Sequence, residues 1–184
     1  MRTDASDTFK TITNTVQLSK YIACQGRHWP DAEILTQAGL PVQLVSHFDA
    51  MFQMLVLKRC DYMPLSIFEG RGELAAVKDK FPMLMFNENL IISYPITMNF
   101  YVKKNNIRLA NDLEEGLIKL IESGEFEQHM KSHSLTKNGF PLERLVDAIK
   151  IEINNNDISE ETMNELANYG FQWPQQEKLQ GIIH

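Results

Sequence analysis

The side chains of this chain best placed to bind or react lie in two short stretches, residues 25–31 and residues 60–62. In the first, the apolar run Tyr21-Ile22-Ala23-Cys24 enters a polar glycine turn, Gln25-Gly26-Arg27-His28-Trp29, and then a helix start at Pro30-Asp31. A turn of this kind exposes backbone N–H groups that can hold a carboxylate or another anion. Arg27 would add charge-assisted hydrogen bonds, and Trp29 could stack on an apolar part of the ligand. The same residues also read as plain scaffolding, with Gly26 as a turn, Trp29 as core and Pro30 as a helix starter. Asp61, with Tyr62 beside it, belongs to a second short strand and is expected near the same sheet edge. Together the two stretches suit a molecule with both acidic and amine features.

Catalytic constellations are not visible. His28, His47, His129, His133 and His184 are scattered. His129 and His133 stand at i and i+4, but the sequence between them carries no metalloprotease glutamate, and solvated helix-end histidines are the plainer reading. There is no glycine-rich phosphate loop and no nucleophile elbow. Asp61 has no identifiable partner carboxylate for general acid–base work. The reading is therefore not an enzyme, and no cofactor or metal is implied.

Composition limits the partners. The 184 residues carry 18 Lys and Arg against 24 Asp and Glu, a net charge of −6. That balance disfavours nucleic acid, whose phosphates reward a basic face. No apolar stretch is long enough to span a membrane, and the polar start, Met1 to Asp7, lacks the apolar core of a signal peptide. The chain as it stands would stay in the cytoplasm if it is the full gene product. Two cysteines, Cys24 and Cys60, do not make a disulfide scaffold and are expected as buried, unpaired thiols.

These residues need positioning elements, and the hydrophobic pattern supplies them. Residues 1–15 read as a flexible leader. A strand ending at Cys24, a helix over residues 31–38, a strand over 42–45 and a helix carrying Phe48, Met51, Phe52 and Leu55 follow. A strand at residues 60–63 and a helix through about Lys78 complete three strand–helix pairs, the α/β pattern. Strands are expected at residues 83–86, 90–93 and 98–102, then a long helix capped by Asn111. A weaker helix over residues 142–148, an extended run over 149–153 and a helix capped by Ser159 close the pattern.

In order and spacing, residues 16–130 resemble the type 2 periplasmic solute-binding proteins, the family-3 class associated with polar amino-acid uptake. The stretches that carry the resemblance are Gln25-Gly26-Arg27-His28-Trp29-Pro30-Asp31, Met51-Phe52-Gln53-Met54-Leu55, and Lys58-Arg59-Cys60-Asp61-Tyr62-Met63-Pro64. Tyr94 through Lys104 and the helix ending Glu122-Ser123-Gly124-Glu125-Phe126 add to it. The resemblance implies a two-lobed α/β protein closing on a small polar solute. Residues 16–92 would form most of the second lobe, and residues 93–184 would return as part of the first lobe with C-terminal helices. Gly26 and Arg27 would meet the ligand carboxylate, Asp61 would bind the amine, and Tyr62 would lie beside it. The same resemblance implies a periplasmic location and a membrane transporter or sensor as partner.

Two departures stand out. Leu65 follows Pro64 where this branch often has arginine, and the opening strands of the first lobe have no counterpart before residue 16. An incomplete lobe would leave sheet edges and an apolar face open, so a homodimer formed by strand pairing or element exchange is expected. Two functions compete: a solute-binding-like protein for a small polar ligand, and a ligand-free structural or protein-interaction domain on a shortened binding-protein fold.

Overall fold

A computed structural model describes residues 1–170. Its helices are α1 (Ser6–Phe9), α2 (Thr15–Leu18), α3 (Pro30–Gln37), α4 (Phe48–Val56), α5 (Gly70–Val77), α6 (Ile107–Glu122), α7 (Glu125–Ser132) and α8 (Glu160–Tyr169). The strands are β1 (Ala23–Gly26), β2 (Val42–Val45), β3 (Leu90–Ser93) and β4 (Ile149–Glu152). β1 pairs parallel with β2, Ala23 opposite Val42 and Gly26 opposite Val45. β3 pairs parallel with β4, Leu90 opposite Ile149 and Ser93 opposite Glu152. The architecture is mixed α/β, built on two small parallel sheets.

Parallel pairing requires a crossover, and α3 supplies the one between β1 and β2. Pro30 opens α3 where a missing N–H costs nothing, Asp31 and Glu33 occupy its positive end, and Ala32, Ile34 and Leu35 face the core. The segment after α4 pairs along the other edge of β1: Ala23 bridges Tyr62 in parallel, and the Cys24 N–H donates to the Tyr62 carbonyl at 2.8 Å. The expected strand at residues 60–63 is thus present as a single bridge. The expected strand at residues 83–86 is likewise one antiparallel bridge, Leu84 to Arg2. Residues 98–102 pair with no strand among the described residues. α6 begins earlier than expected because Asn106, rather than Asn111, caps it, its side chain accepting from the Leu109 N–H at 3.4 Å.

Residues 1–15 are not a flexible leader. Phe9 and Ile12 are buried in the main apolar cluster with Leu18, Ile34, Leu35, Tyr62, Ile151 and Ile153. Arg2 is buried too, its Nη1 donating to the carbonyls of Leu55 at 2.8 Å and Cys60 at 3.2 Å. A single cation thereby ties the start of the chain to the end of α4 and to the 60–62 segment. The polarity of residues 1–7 suggests solvent, but this charge satisfies carbonyls that water does not reach. β4 reaches the same cluster through Ile151, and Ile153 just past its end joins it, so the returning segment shares a core with α1–α3. Within residues 93–184, positions 171–184 lie outside the described residues.

Cys24 and Cys60 form a disulfide, contrary to the expectation of two unpaired thiols. Their burial matches the expectation, with exposures of 0% and 1%. The pairing comes from strand register: lying residues 60–62 along β1 brings the two Cα atoms to 5.6 Å, within disulfide reach. A spacing of 36 residues in sequence carries no such information. A second cluster packs around this bond, with Met51, Phe52, Leu55, Phe81 and Leu84. Among the described residues no helix is long and apolar enough to cross a membrane.

Candidate functional site

The turn after β1 is ordered by its own backbone. The Arg27 N–H donates to the Val45 carbonyl at 3.0 Å, and the Trp29 N–H donates to the Gly26 carbonyl at 3.1 Å. Two of the N–H groups expected to face an anion are therefore already used. The Trp29 ring folds back over Gly26, where an added Cβ would stand 2.6 Å from the ring, and packs 6.0 Å from Phe48. Gly26 is required because the indole occupies the space a side chain would need. Arg27 and His28 remain exposed, and no ion pair holds the Arg27 guanidinium among the described residues.

Asp61 and Tyr62 sit elsewhere. The Asp61 N–H donates to the Ile22 carbonyl at 2.8 Å, so Asp61 lies beside the residue preceding β1 rather than beside Gly26. Four residues of strand, about 13 Å, separate the two positions. Its carboxylate is engaged within the fold: Oδ2 accepts from the Ile22 N–H at 2.9 Å, and Oδ1 stands 3.7 Å from Arg2 Nη2. The Tyr62 ring lies buried against Phe9, with centroids 5.7 Å apart, and its hydroxyl has no hydrogen-bond partner among the described residues. Burial, reinforced by the Asp61 charge, pushes the Tyr62 phenol far above its ordinary range. The structure does not bring Asp61 and Tyr62 to the Gly26–Arg27 turn.

It brings other groups there instead. Asp31, in the first turn of α3, accepts a hydrogen bond from the Tyr94 hydroxyl at 2.5 Å. Tyr94 follows directly after β3. Burial, then the bond to Asp31 and its charge, hold the Tyr94 phenol far above its usual range, so it stays a donor. Glu69 precedes α5, and its carboxyl is raised above the ordinary carboxylate range by burial, then by the charges of Glu73 and Asp31. Gln25, buried at 1% exposure, donates its amide to the Pro64 carbonyl at 3.2 Å. That bond fixes which end of the amide is which, and leaves the buried Oε1 without a donor. The C-terminal end of β1 thus carries the buried amide of Gln25 and runs through the exposed Arg27 into the Asp31–Tyr94 pair at the start of α3. Ligands of open parallel sheets commonly bind outside the carboxyl ends of the strands.

Asp31 was legible as a helix-start residue, and Tyr94 only as the first residue of a stretch that carries the resemblance. Their meeting was not, because 63 residues separate them. Glu69 falls in the helix expected through about Lys78, and nothing in that pattern pointed to Asp31.

One cleft among the described residues is lined by none of these groups. It has a volume of about 340 Å³ and is lined by Arg71, Leu74, Ala75, Lys78, Phe86 and Glu88. Its cations are engaged. Arg71 bonds Glu88, which also accepts from Arg144 Nε at 2.7 Å, and Lys78 donates to the Pro82 carbonyl at 3.0 Å. Burial opposes ionisation of Glu88, but the bonds and charges of Arg71 and Arg144 outweigh it and hold the carboxyl below its usual range. The His129 and His133 rings lie 5.2 Å apart on α7 and its end. Among the described residues no three His, Cys, Asp or Glu side chains form a group that could hold a metal ion, and His184 lies outside those residues. No protein-family model, curated protein or solved structure matches this chain.

Proposed function

We propose that this chain is a binding module for a small zwitterionic solute of the amino-acid class, serving uptake or sensing. The observation that carries the reading is the pairing of opposite charges at one strand end. Arg27 stands exposed and without an ion-pair partner among the described residues, and four residues on Asp31, bonded by the Tyr94 hydroxyl, opens α3. Arg27 would take the ligand carboxylate, and Asp31 and Glu69 its amine. Tyr94 orients Asp31, and the Trp29 ring offers an apolar wall. The solute-binding proteins that the sequence resembles place a ligand carboxylate at the same turn. The buried Cys24–Cys60 disulfide favours an oxidising compartment such as the periplasm, where such a bond persists.

The test is a thermal-shift screen of L-amino acids and simple amines, followed by calorimetry on any ligand that raises stability. Arg27→Ala and Asp31→Asn are each expected to weaken binding at least about tenfold, the loss of one charge-assisted contact. Asp61→Ala is expected to lower stability and leave affinity unchanged. A screen without a binder, or a binder indifferent to Asp31→Asn, refutes the reading.

A second reading has one specific observation behind it. Asp61 and two turn N–H groups are occupied within the fold, as in a domain kept for structure or protein interaction.

A further inference from the structure

Residues 94–103, between β3 and the turn before α6, run without helix, turn or bend. From residue 96 to residue 102, no backbone N–H or C=O takes a partner among the described residues. Most of its side chains are apolar, and four of these are open to solvent: Met98 is 95% exposed, Tyr101 90%, Phe100 68% and Ile96 38%. The first turn of α6 continues this surface with Ile107 at 62% and Leu109 at 42%, and α6 buries none of its residues. An extended segment that is mostly apolar and whose backbone is unpaired over residues 96–102 is a template for strand addition.

We propose that this edge is a homodimer interface in which residues 96–102 of two copies pair as antiparallel strands about a twofold axis at Asn99. Two observations select a second copy as the occupant. At roughly 200 Å² for a fully exposed large side chain, the four strand residues expose about 600 Å² in each copy, and Ile107 and Leu109 on the adjoining turn of α6 bring the available surface to about 800 Å², the amount each partner gives to a standard stable interface. The segment is also complementary to itself. Alternate residues of a strand share a face, so the Asn99 register sets Ile96 opposite the partner's Val102 and Met98 opposite the partner's Phe100, all on one face. Moving the centre to Phe100 would set Lys104 against the partner's Ile96. Moving it to Met98 would draw in Tyr94, whose hydroxyl is held by Asp31. The Asn99 register pairs all seven residues and avoids both. An isologous contact of this kind closes on itself and ends at two copies. The proposal does not depend on the ligand reading, since none of its residues belongs to the β1 site.

Sedimentation equilibrium across the micromolar range tests it. The expected mass is twice the 21.2 kDa of one chain. The double variant Met98→Lys/Phe100→Lys is expected to weaken the dimer at least about a hundredfold with an unchanged far-UV circular dichroism spectrum, because both side chains are exposed in the monomer. A crosslinking series reads the register. Asn99→Cys is expected to form an intermolecular disulfide rapidly, while Thr97→Cys and Tyr101→Cys each lie too far from their own copies. The native cysteines are already paired and do not compete. A monomer throughout the range, or a dimer untouched by the double lysine variant, overturns the proposal. An Asn99→Cys chain that crosslinks no faster than the other two overturns the register.

Discussion

The Cys24–Cys60 bond sets the largest single stability effect that follows from this fold. It closes a loop of 36 residues containing α3, β2 and α4. In the chain-entropy account, a closed loop of that length restricts the unfolded ensemble by about 4 kcal/mol at room temperature. A domain of this kind has a total stability of roughly 5–15 kcal/mol, so the bond decides how much of the population is folded. The perturbation is the double variant Cys24→Ala/Cys60→Ala, measured by guanidinium unfolding with tryptophan fluorescence. The expected loss is about 4 kcal/mol from the crosslink, with a small addition because both sulfurs are fully buried. The slope of free energy against denaturant should rise, since an uncrosslinked chain exposes more surface. Wild-type protein unfolded in reductant should match the double variant. Two free thiols titrating in denatured, unreduced protein would refute the pairing. A loss under about 1 kcal/mol would refute the entropy argument, because it would mean that the unfolded chain already holds these strands together.

Other perturbations probe individual contacts. Gly26→Ala drives a Cβ into the Trp29 ring and should cost about 1–3 kcal/mol with a shift in tryptophan emission; Trp29→Ala in the Gly26→Ala background should cost less than Trp29→Ala alone, and simple additivity in denaturant unfolding would contradict the contact. Arg2→Met keeps the buried stem but removes two bonds to buried carbonyls, so an equilibrium unfolding loss of about 3 kcal/mol is expected. Glu88, held below the ordinary glutamate value of 4.5 when folded, contributes stability that is present above that value and lost as pH falls through its lower folded pKa; a pH series of melting temperatures should therefore drop more steeply in acid for wild type than for Glu88→Gln. For the proposed solute site, Glu69 protonates at a higher pH than an ordinary glutamate, so affinity for an amine ligand should begin to fall early on acidification, and Glu69→Gln should flatten that profile in calorimetry.

Local order was largely legible from residue types. β2 falls on the expected residues 42–45, and α3 and α4 fall where Pro30, Asp31 and the Phe48–Leu55 stripe place them, because these signals act within one turn of helix or a few residues of strand. The Ser159 cap likewise starts α8, its side chain accepting from the Thr162 N–H. The legible part of the candidate site was similarly local: Gly26 against Trp29, and the charge of Arg27 in the same turn. Two errors shared a cause. Residues 1–15 carry polar residues that suggest a free leader, and Asp61 sits in a strand that suggests the β1 turn. Both judgements needed to know which strand end meets which segment.

The amino-acid order by itself determined that this chain alternates short strands and helices, that Cys24 and Cys60 are buried, and that one polar glycine turn leads from β1 into α3. Only the tertiary structure decided that the cysteines bond, that Arg2 takes two buried carbonyls, that Asp61 belongs to the opening of β1, and that Asp31 meets Tyr94 across 63 residues. The division has a physical basis. Periodicity, caps and turns arise from neighbours a few bonds apart, whereas strand register is chosen by packing among segments that sequence distance does not relate.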